Sequence, residues 1–170
     1  MPERPIVNID EGEWIVEAEQ GTWGGDFKRL TPFLAKKPGA LGMNVSRVRK
    51  GRVFCPFHYH MLEDEIFYVL SGRGVLRYGD ELYELRPGDC ISLPAGTKVA
   101  HQLANPYDED FVYLGIGRND PDEVCVYPDS GKVMVRGLDT VGVLTKTDYM
   151  HGESIERAKI FDLIDERPRG

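Results

Sequence analysis

The chain has 170 residues, of which 41% are hydrophobic and 29% charged, so it can form one domain with a buried core but is too short for two β-barrels. A net charge of -7 and an isoelectric point near 5.1 argue against nucleic-acid binding, because phosphate recognition needs a basic stripe. No apolar run approaches the ~20 residues of a membrane helix, so we expect no membrane partner.

The first residues lack the apolar core of a signal peptide, which predicts a cytoplasmic protein. Three widely spaced cysteines, Cys55, Cys90 and Cys125, are odd in number and lie among apolar residues. A disulfide framework is therefore not expected, and we predict free, mostly buried thiols.

Residues 1–40 are rich in aromatic side chains but show little periodicity, with Trp14 and Trp23 followed by a glycine pair. Such a segment gains order only by burying its aromatic surface. We predict an N-terminal extension that packs along the outside of the following domain or across a neighbouring subunit.

Residues 41–136 consist of short alternating or apolar runs separated by Gly, Pro and Asp, a pattern typical of β-strands in a barrel or sandwich. Gly79-Asp80 marks a hairpin turn between two of these runs. Pro128 to Gly131 marks a second turn, which we interpret as joining two edge strands. The predicted strands cover 42–48, 65–70, 74–78, 81–85, 90–93, 99–104, 111–117, 123–127 and 132–135.

Residues 137–170 form a polar C-terminal segment in which 154–164 has helical periodicity. Ile155, Ala158 and Phe161 or Leu163 share one apolar stripe of that helix. We predict a short helix that docks on the domain.

Three of the four histidines fall into one constellation with a glutamate. In a strand, His58 and His60 point to the same face because successive side chains alternate. Glu65 follows after a short connection, and His101 can complete the set from a second strand. Imidazole nitrogen and carboxylate oxygen donors suit a divalent transition-metal ion.

The sequence around these residues resembles the two motifs of the cupin superfamily. The first motif is a glycine-flanked His-x-His and Glu between Gly51 and Gly72, and the second runs from Gly88-Asp89 through Pro94-x-Gly96 to His101. The resemblance spans about residues 41–117 and implies an all-β fold, the double-stranded β-helix or jelly-roll barrel. It also implies His58, His60, Glu65 and His101 as metal ligands, and a homodimer.

Two spacings depart from the usual cupin pattern. There is one additional residue between Gly51 and His58, and there are two between Gly96 and His101. Both fall in expected loops or bulges, where an added residue re-aims a side chain without destroying strand pairing.

Glu65 has two neighbouring carboxylates as competitors for the metal. We prefer Glu65 because it begins the strand 65–70 and matches the glutamate of the cupin motif, whereas Glu63 and Asp64 are expected to face solvent. His151 lies in a polar segment and is interpreted as a surface residue. The ligand set does not distinguish Fe, Mn, Ni, Zn or Cu.

Residues that contact a substrate are harder to identify from the sequence. Phe67 is predicted to form part of the wall of the site, and Arg47 to pair with an anionic substrate. Tyr59, Tyr68 and Tyr113 are alternatives for supplying a phenolic proton, and we select Tyr113 as a substrate-binding residue. Cupins include dioxygenases, decarboxylases, lyases and sugar isomerases or epimerases, so the fold alone does not choose a reaction. We expect a small-molecule metalloenzyme acting on an oxygen-rich anion; the alternative is a non-catalytic module that binds a sugar or a small acid.

Overall fold

Strands are the main regular elements of the computed structural model, which describes residues 5–34 and 37–167. A 3₁₀ turn at Arg136–Leu138 and a seven-residue helix, α1 (Lys159–Asp165), are the helical elements of this part of the chain. Its strands are β1 (Ile15–Gln20), β2 (Trp23–Arg29), β3 (Leu41–Val48), β4 (Arg52–Val53), β5 (Tyr59–His60), β6 (Glu65–Ser71), β7 (Gly74–Tyr78), β8 (Glu81–Leu85), β9 (Cys90–Leu93), β10 (His101–Asn105), β11 (Phe111–Arg118), β12 (Val124–Tyr127), β13 (Lys132–Val135) and β14 (Thr140–Val143).

The strands form two curled sheets that together make a jelly-roll barrel, as the sequence predicts. The larger sheet has the order β8-β7-β10-β4-β2-β3-β11-β6-β9, with β1 paired to β2, and the smaller has the order β14-β13-β12-β5. An isolated antiparallel bridge between His58 and His101 links the segment before β5 to β10. This bridge joins the two sheets at the position of the predicted metal ligands.

The barrel core follows the strand alternation predicted from the sequence. In β6, Phe67 and Val69 are buried while Ile66 and Tyr68 are exposed, because neighbouring side chains point to opposite faces. The buried cluster comprises Val48, Phe67, Val69, Leu76, Leu85, Leu93, Leu103, Phe111 and Tyr113.

The N-terminal segment contributes more to the barrel than its sequence indicates. β2 lies between β3 and β4 in the larger sheet instead of lying along the outside of the barrel. Its Asp26 is fully buried and accepts hydrogen bonds from Arg47 and Arg49 at 2.5–2.9 Å. A Cβ on Gly25 would lie 2.7 Å from the ring of Phe54, so glycine is required for this close packing. Because glycine has no side chain, this part of β2 lacks the alternating pattern by which a strand is recognised in a sequence.

The structure confirms the two predicted turns of the barrel, but it does not show a docked helix in the C-terminal segment. The Gly79-Asp80 hairpin connects β7 and β8, and the 128–131 turn connects β12 and β13. β14, which the sequence did not predict, pairs with β13, and β12 lies between β13 and β5, so neither of the two strands is an edge strand as predicted. α1 begins at Lys159 rather than 154 and leaves its apolar side chains exposed. The predicted segments also include residues 1–4, 35–36 and 168–170, which lie outside the described residues.

No helix within residues 5–34 and 37–167 is both long and apolar enough to cross a lipid bilayer.

Two motif glycines, Gly51 and Gly72, offer a matched test of how tightly the barrel packs. Both have left-handed backbone, with φ of 71° and 70°. A Cβ on Gly51 meets open space, whereas a Cβ on Gly72 would lie 2.1 Å from the carbonyl oxygen of Asp110. We expect Gly51→Ala to lower the free energy of unfolding by about 1–2 kcal/mol from backbone strain alone.

Gly72→Ala should cost at least about 1 kcal/mol more than Gly51→Ala, because the neighbouring backbone must move. Urea denaturation of the two variants measures the difference. Equal destabilisation of both would contradict the close contact between Gly72 and Asp110.

Candidate metal centre

The backbone fixes His58 and His101 against each other. The His58 N–H donates to the His101 carbonyl at 3.1 Å, and the His101 N–H donates to the His58 carbonyl at 2.8 Å. This reciprocal pair is the narrow type of antiparallel pairing, in which two residues exchange both hydrogen bonds. Both side chains are buried, with ring centroids 4.4 Å apart.

His60 and Glu65 bring the remaining polar atoms to the same point. Glu65, the first residue of β6, has its Oε2 3.0 Å from His101 Nε2 and 3.3 Å from His60 Nε2. One ligand atom from each of His58, His60, Glu65 and His101 lies within 4.8 Å of the others. The structure therefore brings together the four side chains selected from the sequence.

The donor atoms in this cluster fit a bound cation. Within residues 5–34 and 37–167, three buried atoms that face each other have no hydrogen-bond partner: Nε2 of His60, Nε2 of His101 and Oε2 of Glu65. Buried polar atoms without a partner cost free energy, so such a group calls for an explanation. A divalent ion accepts lone pairs from all of them, and nitrogen with carboxylate oxygen is a donor set suited to transition metals.

His58 is held in the form that can bind a metal. Its Nδ1 lies 2.7 Å from the carbonyl oxygen of Pro56. Because a carbonyl can only accept, Nδ1 carries the proton and Nε2 presents its lone pair. Burial, together with the neighbouring His101, lowers the pKa of His58 to about 4, so the ring is neutral at neutral pH.

Glu65 is charged in the same environment. Burial alone would raise the pKa of its carboxyl group, but its contacts with His101 and His60 outweigh burial and hold the pKa well below its ordinary value. For His60, burial alone would lower the pKa, but Glu65, Glu123 and Glu63 outweigh it and raise the pKa. The cluster thus contains one firmly ionised carboxylate among three imidazoles.

A second group of acids lies behind His60. Glu123 is fully buried, and its two carboxylate oxygens accept the backbone N–H groups of Met61 and Leu62, each at 2.9 Å. Its Oε1 lies 3.3 Å from His60 Nδ1, and Glu63 Oε2 lies 3.7 Å from the same nitrogen. His60 is therefore flanked by Glu65 on its Nε2 side and by these two carboxylates on its Nδ1 side.

Sequence reasoning missed this acidic pair. Glu63 was expected to face solvent, but it is buried and forms an ion pair with Arg136, which holds it in place. Glu123 reaches His60 because β12 pairs with β5, with Cys125 opposite His60. That pairing joins segments more than sixty residues apart, and no local sequence signal predicts it.

A cavity of about 770 Å³ opens beside the cluster. His58, Glu65 and His101 line it, whereas His60 is not among the lining residues. Phe67 and Tyr113, two of the predicted substrate residues, also lie in its wall. Burial raises the pKa of Tyr113, so its phenol stays protonated at neutral pH and can donate a hydrogen bond.

Arg47, the third predicted substrate residue, lies outside the cavity lining. Its neighbours Ser46 and Asn44 share the face that lines the cavity, and Arg47 points to the opposite face because it is one residue out of phase. There its guanidinium group binds Asp26 and stacks over the ring of Trp14 at 4.3 Å. It stabilises the junction between β2 and β3.

The cysteines differ in part from the expectation of buried thiols. Cys125 is buried, but Cys55 and Cys90 are exposed, and Cys55 lies in the cavity wall. Although Cys55 as a whole residue is exposed, its thiol lies in the concave cavity wall, where burial and the charge of Glu65 raise its pKa to about 12. The thiol is therefore protonated at neutral pH and is a poor candidate for a metal ligand.

Known proteins match this chain in sequence and in fold. Residues 44–117 match a family model described as the cupin domain. A proposed sugar phosphate isomerase from Acidithiobacillus ferrooxidans is 25% identical, with a TM-score of 0.65 and coverage of 74% of this chain and 82% of that one. A sugar phosphate isomerase of the cupin superfamily from Silicibacter pomeroyi is 28% identical, with a TM-score of 0.63 and coverage of 76% and 85%.

A shorter match involves an uncharacterized protein from Methanocaldococcus jannaschii. It is 38% identical over 48 residues, which is 28% of this chain and 37% of that protein. The chain thus spans little more than a third of the length of this curated relative.

Glu123 should be important for stability because it satisfies two backbone donors in a buried position. We expect Glu123→Ala to lower the free energy of unfolding by about 2–4 kcal/mol, since the Met61 and Leu62 N–H groups lose a charged acceptor. Glu109→Ala, which removes a half-exposed partner of Arg73, is the matched control and should cost less than about 1 kcal/mol. Urea denaturation measures both, and a Glu123→Ala effect no larger than the control would contradict this role.

Proposed function

The chain is a small cupin, and we propose that it binds one divalent transition-metal ion through His58, His60, Glu65 and His101 and is an enzyme acting on a small, oxygen-rich anion. One observation supports this proposal above all. Buried nitrogen and oxygen atoms that lack hydrogen-bond partners converge beside a cavity. A metal-free cluster could satisfy these atoms only if the imidazoles directed protons at Glu65, whereas a divalent ion would satisfy all of them with neutral imidazoles.

Four protein ligands leave room for a substrate. A transition ion that accepts five or six ligands, if held by these four residues, would have one or two positions left for water or substrate oxygens. When bound, the ion supplies Lewis-acid chemistry, which polarises a carbonyl or hydroxyl oxygen of the substrate. Three neutral imidazoles and one carboxylate offset only half of its charge, which favours an anionic substrate.

Residues of the cavity wall complete the environment for such a substrate. Tyr113 is a buried phenol that can donate a hydrogen bond to a substrate oxygen, and Phe67 forms an apolar wall beside His101, with ring centroids 5.8 Å apart. The apolar wall excludes water from the region next to the donor atoms, which strengthens electrostatic interactions there.

Isomerisation of a phosphorylated sugar is the reaction we favour. The support is the similarity, at 25% and 28% identity, to two cupin structures named as sugar phosphate isomerases, which cover about three quarters of this chain. A sugar phosphate also has the properties that the site requires, since it is anionic and offers adjacent oxygens to a metal ion.

Metal analysis of histidine variants tests the metal site. We expect the wild-type chain, loaded with Mn, Fe, Ni, Zn or Cu and then dialysed, to retain about one ion per chain. His101→Ala should weaken metal affinity at least ~100-fold because it removes a direct ligand, a larger effect than the 10–100-fold typical of outer-shell changes. His151→Ala, which changes the exposed fourth histidine, is the matched control and should leave metal content unchanged.

Turnover separates an enzyme from a binding module. Aldose and ketose phosphates should be interconverted by the metal-loaded chain, and His101→Ala should abolish this activity while His151→Ala preserves it. Metal-dependent binding of sugar phosphates without turnover would support the non-catalytic alternative. Failure of the wild-type chain to retain any of these ions would overturn the metal site itself.

A further inference from the structure

The cavity extends beyond the donor cluster, and its lining holds more cationic than anionic side chains. Three arginines line it, Arg29, Arg118 and Arg136, against two glutamates, Glu63 and Glu65. This local excess of positive charge contrasts with the net charge of -7 of the whole chain. Because clefts focus electrostatic fields, such an arrangement favours an anionic ligand.

A row of cross-strand partners leads from the donor cluster toward Arg29. Phe67 in β6 is opposite Gly115 in β11, Gly115 is opposite Asn44 in β3, and Asn44 is opposite Arg29 in β2. Directly opposed residues share one face of a sheet, so the side chains of this row point into the cavity. Arg29 therefore faces the same interior as Phe67, three strands away.

A parallel row begins at the metal cluster. Glu65 is opposite Gly117, and Gly117 is opposite Gly42. With Gly115 in the adjacent row, three glycines occupy inward-facing positions between the donor atoms and Arg29, and all three line the cavity. The absence of side chains at these positions leaves an open corridor along the sheet.

The length of the corridor suits a molecule of several carbon atoms. Three strand spacings of ~4.8 Å separate the backbones of Phe67 and Arg29 by about 14 Å along the sheet. The long Arg29 side chain spans part of that distance. A ligand that reaches both ends must therefore be extended, with its two polar ends well separated.

The three arginines differ in how far they are already neutralised. Arg136 binds both carboxylate oxygens of Glu63. Arg118 pairs with Asp120 through Nη2 at 3.1 Å and is about half exposed. Arg29 is exposed and forms no ion pair with any residue in 5–34 or 37–167, although its guanidinium group lies 5.5 Å from the ring of Phe27. Arg29 is thus the cation best able to bind a ligand, with Arg118 as a second donor.

We propose that Arg29 forms a phosphate subsite at the end of the cavity away from the donor cluster, joined to the candidate metal centre by the corridor over Gly42, Gly115 and Gly117. Arg118, in the same cavity lining, adds to the positive charge that the phosphate meets. The subsite binds the phosphate of a phosphorylated sugar whose other end reaches the donor cluster. This assignment deepens the proposed function and rests on it for the reacting end of the substrate.

The chemistry of the far end favours a phosphate over a carboxylate. A guanidinium group presents several N–H donors in a fixed planar fork that matches phosphate oxygens, and the charges of Arg29 and Arg118 in one cavity offset the two charges of a phosphate monoester. The side-chain amide of Asn44, next to Arg29 in its row, adds a neutral donor.

Inorganic phosphate tests the subsite without involving the metal. Binding would be measured by titration calorimetry on the metal-free and the zinc-loaded chain. We expect the metal-free wild type to bind phosphate, and Arg29→Gln to weaken that binding by about tenfold or more, since a charge-assisted hydrogen-bond pair is lost. Arg29→Gln combined with Arg118→Gln should remove measurable binding.

Arg73→Gln combined with Arg86→Gln is the matched control, because it removes the same charge from residues that do not line the cavity. Its phosphate affinity should stay within about twofold of wild type, as expected for distant surface charges screened by salt. An equal loss in the control, or unchanged affinity in the Arg29 and Arg118 variant, would overturn the subsite. Thermal unfolding checks that each variant is folded.

The two proposals fail in distinguishable ways. If the wild type retains no metal or shows no turnover, but phosphate binding depends on Arg29, the proposed function is wrong and the subsite stands. If turnover of sugar phosphates is normal in the Arg29 and Arg118 variant, the subsite is wrong and the function stands.

Gly115→Val tests the corridor itself. A Cβ at Gly115 would lie 3.6 Å from the Phe67 ring, an ordinary contact, so the variant should fold and keep its metal. The valine methyl groups would narrow the passage, and we expect sugar-phosphate affinity to fall roughly tenfold or more while inorganic phosphate still binds. Unchanged sugar-phosphate affinity would contradict a ligand that spans the corridor.

Discussion

Lone pairs that face each other away from water need a shared proton or cation, and this requirement governs the centre of the barrel. His60, His101 and Glu65 bring three such atoms within 3.3 Å of their nearest neighbour in the group. The sheet holds them there through the double hydrogen bond between His58 and His101. The cluster is therefore preorganised for the proposed cation, whose binding would give partners to polar atoms that folding has already buried.

The surrounding charges are arranged in two layers with different roles. Glu65 and Glu63 line the cavity, and Glu63 is paired there with Arg136, whereas Glu123 lies on the Nδ1 side of His60 outside the lining, where backbone amides hold it. An acid on the far side of an imidazole fixes the ring and makes it a stronger donor. His60 is thus surrounded by three acids, and the charge of Glu123 lies outside the cavity lining.

The sequence predicts elements that depend on local patterns and misses those that depend on distant pairing. The alternation in β6, the 79–80 hairpin and the grouping of the three histidines with Glu65 were all readable, because each follows from short-range periodicity or motif spacing. Arg47 was wrongly predicted to bind the substrate. Its guanidinium group pairs with Asp26 of β2, and β2 could not be recognised in the sequence because of its glycines. Glu123 was missed because only the contact between β12 and β5 brings it to His60.

The position of β2 has a practical consequence for dividing the chain. The matched family region, 44–117, omits β2, which hydrogen-bonds to β3 and β4 within the larger sheet. A fragment trimmed to that region would expose the backbone edge of β3 and remove the carboxylate that neutralises Arg47 and Arg49. An unpaired strand edge forms hydrogen bonds with strands of other molecules, so we expect such a fragment to aggregate. A stably folded fragment must therefore begin before Trp23.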